Sequence, residues 1–164
     1  MNLSIFNVLP WIESIAASRL GQAISTSTWA FAVIESIHLL ALAVIGGAVL
    51  TVDLRLLGLG LRSQPIDQVA RDAWPWFVRS WVVMIVTGGL LFVSEPLKLY
   101  HSTPFFWKMT CLLLVTLFTF SVRRKVTLTG EGHTPPVVLK LVGVVSLLLW
   151  FGVGASGRWI GFSG

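Results

Sequence analysis

Charge is what this sequence has least of. Of its 164 residues, 12 are Lys or Arg and 7 are Asp or Glu, so charged side chains make up 12% of the chain. An ordinary soluble domain carries roughly twice that share. A surface so poor in charge is not covered for water, and a mean hydropathy of +0.83 makes lipid the solvent for much of it. Cysteine is nearly absent too. Cys111 stands alone inside an apolar run, which excludes an intrachain disulfide and a cysteine-built metal site. The motifs of soluble catalysis are missing: there is no phosphate-binding loop, nucleophile elbow, HExxH or CxxC, so hydrolase and kinase chemistry have no support. A net charge of +5 raises nucleic acid as a partner, but the basic residues flank apolar runs and form no polar basic face. Charge at membrane ends accounts for them, and no nucleic-acid partner is expected.

What the chain does have is four long apolar runs, about 29–52, 76–93, 105–122 and 137–156. At 1.5 Å per residue each matches a hydrocarbon core of about 30 Å. Spanning β-barrels read instead as alternating segments of about ten residues, and these runs are continuous. The expected fold is all-α: a polytopic membrane protein forming a four-transmembrane-helix up-down bundle, one membrane domain over residues 1–164. The first run is too long for a signal-peptide core, and Asp53-Leu54-Arg55 follows it in place of a small-residue cleavage site, so the start of the chain is expected to be retained.

Basic residues orient the spans. Arg55, Arg62, Arg71 and Arg79 follow the first, and Arg123, Arg124, Lys125 and Lys140 follow the third. The positive-inside rule then places both connections in the cytoplasm and both termini on the outer, periplasmic side of a bacterial inner membrane. Trp29, Tyr100, Phe105, Phe106, Trp107 and Trp159 would form the outer aromatic belt, with Trp74, Trp76 and Trp81 forming the inner one.

Residues 1–27 form an interfacial segment in this reading. From 3 to 20, Ile5, Val8, Leu9, Ile12, Ile15, Ala16 and Leu20 recur at spacings of three and four, opposite Glu13, Ser14, Ser18 and Arg19. That pattern predicts an N-terminal amphipathic interfacial helix, resting on lipid or on a partner. A second short helix is predicted from Ser63 to Pro75, and 127–136, with two glycines and two prolines, is the clearest loop. Small residues such as Ala43 and Gly47 offer close helix contacts.

Few side chains in the runs could carry chemistry. Glu35 and His38 are three residues apart and so lie toward one face of the first span, about 9 Å and 13 Å below Trp29. Ionisable groups at that depth are costly in lipid and usually face the bundle interior. The pair could join helices by hydrogen bonds, relay protons, or supply His38 as a ligand to a metal or haem iron. Glu95, Lys98, His101, Lys108 and Arg158 gather at the same end. Lys108 and Arg158 could neutralise Glu35, bind an anionic group such as a haem propionate, or extend to lipid headgroups. Met84 lies near the depth of His38, as a core filler or a second axial ligand.

The run Glu35-Ser36-Ile37-His38-Leu39-Leu40, then Gly46-Gly47 and Asp53-Leu54-Arg55-Leu56-Leu57-Gly58, with Phe106-Trp107-Lys108-Met109 and Gly157-Arg158-Trp159-Ile160-Gly161, resembles a family of small uncharacterised bacterial four-helix integral membrane proteins. More distantly, the first-helix histidine, the inner-end arginine and the lysine opening the third helix are similar to the copper-resistance D family and the HemJ-type protoporphyrinogen oxidases. The resemblance spans roughly residues 28–161. It implies His38 as an axial ligand of haem b, with Lys108 matching the third-helix lysine. The chain departs from that pattern near the inner end of the third helix, where Phe118, Phe120, Ser121 and Arg123 stand in place of a second histidine. His101 or Met84 would then substitute, or the iron would be five-coordinate, or no haem would bind.

Three functions are therefore expected in turn: a b-haem-binding, redox-linked membrane protein with Lys108 and Arg158 at the propionates; a non-catalytic anchor or accessory subunit docking a membrane or periplasmic partner; and a small ion or proton transporter acting through Glu35 and His38 as a homo-oligomer.

Overall fold

The computed structural model describes residues 9–130 and 132–160, and the described chain is helical with no strand. Its frame is four helices long and apolar enough to cross a membrane, the pattern of a multi-pass membrane protein. The first is α3 (Thr28–Leu57), after two short N-terminal helices, α1 (Leu9–Ala16) and α2 (Arg19–Thr26). Next come α4 (Ile66–Ser94), the short α5 (Pro96–Tyr100) and α6 (Thr103–Phe118). A π-helical turn (Thr119–Arg123) continues α6 into α7 (Arg124–Thr129), and α8 (Pro136–Ile160) closes the chain.

Local chemistry sets the ends. The Ser27 hydroxyl caps α3 by accepting from the Ala30 N–H at 3.2 Å, satisfying one of the donors a helix start leaves over. Gly58, in the left-handed region at φ 74°, ends α3, a conformation that excludes most other residues at little cost to glycine. Thirty residues make α3 about 45 Å long, roughly 15 Å more than the hydrocarbon core requires.

Two predicted elements change. The short helix ending at Pro75 and the second span are one helix, α4, with Pro75 inside it. Proline removes a single backbone donor and kinks a helix; here the turns on either side pack onto neighbours through Ile66, Val69 and Phe77 and carry the helix through. The predicted N-terminal helix over 3–20 begins outside the described residues. From Leu9 onward the segment is two helices, broken before Ser18, whose hydroxyl accepts from the Gly21 N–H at 3.1 Å to start α2. Ile12, Gly21 and Ile24 are buried, and α1 and α2 pack on the end of the bundle formed by α4 and α5. The approach is close: a Cβ on Gly21 would lie 2.6 Å from the Val93 carbonyl oxygen of α4.

Along α3, the buried positions His38, Ala41, Ile45, Val49, Val52 and Leu56 recur every three or four residues, a single stripe facing the other helices. Ile45 and Val49 meet Phe77 and Met84 of α4, Val115 of α6, and Trp150 and Val153 of α8 in the central core. A second cluster joins Val52 and Leu56 to Ile66, Val69, Leu139 and Val142. Outside this core, large apolar side chains such as Leu40, Leu113, Leu148 and Phe151 are exposed, as lipid-facing surface requires. Where α3 and α4 touch, His38 meets Thr87 and Gly88, while Ala48 and Thr51 share a groove with Ala73 and Trp76; contacts therefore advance in opposite directions along the two helices.

Candidate functional site

Two buried polar centres interrupt this apolar frame, one toward each end of α3. The first is built on His38. Its ring is 9% exposed, and its Nδ1 lies 2.9 Å from the Thr87 hydroxyl oxygen of α4. That hydroxyl has one proton and lies 2.7 Å from the Val83 carbonyl oxygen, so it donates there and accepts from His38 Nδ1–H. In that arrangement the imidazole is the Nδ1–H tautomer and Nε2 carries the lone pair; the Met84 backbone also interacts with the ring. Gly88 provides space for the ring: a Cβ there would stand 3.2 Å from His38 Cε1.

Lys108, near the start of α6, lies within electrostatic reach of His38. It is half-buried, and its ammonium lies over Gly157 of α8, where a Cβ would be 3.6 Å from Nζ. Among the described residues no ion pair or hydrogen bond holds this ammonium. A partly desolvated cation without a counter-charge is unfavourable on its own, and its position favours an anionic group beside the histidine.

The remaining candidates lie elsewhere. Glu35 is exposed, because its position is rotated about 60° off the His38 stripe at 100° per residue. Met84 is packed in the central core, its carbonyl 3.3 Å from the Thr87 hydroxyl. His101 is exposed beside Tyr100, their rings edge to face at 5.2 Å. Arg158 is exposed near the end of α8, and Lys98 pairs with Glu95 at 3.7 Å. The structure therefore brings His38 and Lys108 together, with Met84 close by. Thr87 escaped the sequence reading; the available signal was a hydroxyl in an apolar run at the depth of His38.

The second centre lies at the opposite end of the bundle. Asp53, 0% exposed, accepts from Arg123 Nε at 2.8 Å through Oδ1. A second Arg123 nitrogen donates to the Val49 carbonyl oxygen at 3.3 Å. Arg123 ends the π-helical turn, and the Thr127 hydroxyl donates back to the Arg123 carbonyl at 3.0 Å. Ser146 of α8 faces the carboxylate. Asp53 Oδ2, Ser146 Oγ and Thr119 Oγ1 are buried without a hydrogen-bonding partner among the described residues. An aromatic cluster joins Trp74, Phe77 and Trp81 of α4 to Phe120 of the π-helical turn and Trp150 of α8, with ring centroids of contacting pairs 5.3–6.0 Å apart.

No set of three or more His, Cys, Asp or Glu residues among the described ones is arranged to hold a metal ion. Two clefts open toward the Asp53 end, one along α3 and α4 and one between α4 and α7, and neither is lined by His38. A b-type haem would meet one imidazole and one cation here, and neither cleft reaches them. No second histidine accompanies them.

The model of a family described as a family of unknown function (DUF6644) matches residues 8–163. No curated protein and no solved structure matches the chain.

Proposed function

The chain belongs to this family of unknown function, and from its own residues we propose that it is a multi-pass protein of the bacterial inner membrane that binds b-type haem through His38. The observation that supports this reading is the His38–Thr87 hydrogen bond, which suits an Nδ1–H tautomer with Nε2 as the Lewis base in an apolar bundle. Lys108, without a described counter-charge, supports it as the group that receives a propionate, and Arg158 at the same end is the second cation of that rim. Bound there, the haem supplies one-electron redox chemistry. The chain's residues orient the ligand imidazole, shield it from water behind α4 and hold negative charge at the Lys108 end. Haem attachment through a first-helix histidine is also what a distant resemblance to the HemJ-type proteins would imply. The charge distribution supports the orientation in this reading: eight of the twelve basic residues lie in or beside the first and third connections, which favours both termini in the periplasm.

An absorption spectrum of detergent-purified protein, expressed with ample haem, tests the reading. A Soret band in the native chain that is lost in His38→Ala is expected. Absence of the band, or an unchanged spectrum in the variant, overturns it.

A second reading rests on a different observation. Trp11 is 73% exposed and Trp29 83% exposed, with Leu20 also exposed on the neighbouring turn, although α1 and α2 are otherwise packed on the bundle. That leaves an apolar rim suited to a membrane or periplasmic partner subunit, with the chain as its anchor. Co-purification from native membranes with a defined partner, lost on removal of residues 1–22, is the expected outcome; a protein that elutes alone in both forms removes this reading.

A further inference from the structure

The cleft between α4 and α7, about 110 Å³ in volume, is lined by three arginines, Arg71, Arg123 and Arg124, together with Trp74 and Thr127. Three arginines on one cleft at the end of a membrane bundle are costly unless each is satisfied. Arg71 pairs with Asp67, one turn before it. Arg123 is 5% exposed and pairs with Asp53. Both carboxylates lie outside the cleft lining. Arg124 differs: its guanidinium lies 4.2 Å from the centroid of the Trp74 ring, and no carboxylate among the described residues pairs with it. Arg124 is exposed, and a guanidinium held beside an aromatic ring keeps a planar fork of N–H donors that can receive two oxygens of one anion. Arg123 is held by Asp53 and the Val49 carbonyl through its Nε and one terminal nitrogen, so Arg124 is the arginine of the lining that no described carboxylate neutralises.

The cleft is thus pre-organised and carries one cation more than its carboxylates neutralise. Its volume admits a group of a few heavy atoms, a water molecule occupying about 30 Å³. Trp74 places it at the level where aromatic residues meet headgroups, and basic pockets between helices at a membrane's cytoplasmic face suit acidic lipid headgroups. We propose that this cleft binds a phosphate group, supplied by an anionic lipid headgroup or by free phosphate.

The full chain, purified in neutral detergent, is examined by native mass spectrometry and thermal denaturation with phosphatidylglycerol, phosphatidylcholine or inorganic phosphate added separately. Phosphatidylglycerol is expected to be retained and to raise Tm. An equal effect of inorganic phosphate identifies the free anion as the ligand, and its failure beside phosphatidylglycerol identifies the lipid; either outcome supports the site. Arg124→Gln is expected to weaken retention about ten-fold, the scale of one charge-assisted hydrogen-bonding group. Arg124→Lys keeps the charge without the planar fork, guards against a folding defect, and is expected to fall between the two. Lys140→Gln removes one charge outside the cleft and is expected to leave retention unchanged. Retention of phosphatidylcholine equal to that of phosphatidylglycerol, no retention of any phosphate compound, or equal losses in Arg124→Gln and Lys140→Gln overturns the proposal.

Discussion

The two polar centres of the bundle are built from similar costs and solve them differently. Around Asp53, a buried negative charge meets a buried positive one from a helix 70 residues away, and the π-helical turn positions Arg123 so that one guanidinium serves both the carboxylate and the Val49 carbonyl. The two charges there are paired with each other, although Asp53 Oδ2, Ser146 Oγ and Thr119 Oγ1 have no hydrogen-bonding partner among the described residues. Around His38, a neutral ring is oriented by one hydroxyl, Nε2 carries the lone pair, and the nearest cation lacks a described counter-charge. That centre is open. A closed ion pair fixes how helices meet, whereas an oriented base beside an unneutralised cation is the arrangement a ligand completes.

The contrast breaks if stability responds alike at both ends. Asp53→Leu and Arg123→Leu each leave a buried charge uncompensated and are expected to cost about 3–5 kcal/mol, seen as a large fall in thermal midpoint in detergent; the double variant should recover most of it, as a coupled pair must. Equal damage in single and double variants would show that the two charges do not act as a pair.

At the open centre the losses are smaller. Thr87→Val removes the acceptor of His38 Nδ1–H and is expected to cost about 1–3 kcal/mol, while Thr87→Ser retains most of the stability. Nitrogen NMR of the imidazole should show the Nδ1–H tautomer in the native chain and its loss in Thr87→Val. A native Nε2–H tautomer would remove the basis for ligation through Nε2.

Lys108→Met should differ in sign from the Asp53 variants, leaving stability unchanged or raising it by up to about 1 kcal/mol, because it removes an unpaired, partly desolvated charge. A fall of several kcal/mol would mean that the cation has a structural partner. The smallest effect is expected at Glu35→Gln, within about 0.5 kcal/mol, as for an exposed side chain away from any network. A larger loss, measured in the same thermal assay, would place Glu35 in a contact between copies or with a partner.

Much of the frame was legible because hydropathy in a membrane chain is a one-dimensional signal. Each of the four apolar runs lies within one long helical segment, and each extends beyond the run because helix ends emerge from lipid and need not be apolar. The extension is greatest at α4, where Pro75 reads as a stop. His38 stood out for the same reason as the spans: a polar ring is conspicuous among leucines. Glu35 shows the limit of spacing arguments, since residues three apart share a face only to within about 60° and the edge of the buried stripe falls between them. Asp53 had several arginines within reach, and Arg123 is selected by the π-helical turn, a feature with no simple sequence mark.

By itself, then, the amino-acid sequence determined the solvent of this protein, the existence of its four long helices and the identity of its one buried histidine, because each depends on the composition of a short stretch. The tertiary structure decided what each polar residue faces. The Thr87 bond that orients His38, the pairing of Asp53 with Arg123 and the stacking of Arg124 on Trp74 join residues 49, 70 and 50 positions apart, and such pairs exist only once helix register and rotation are set by packing.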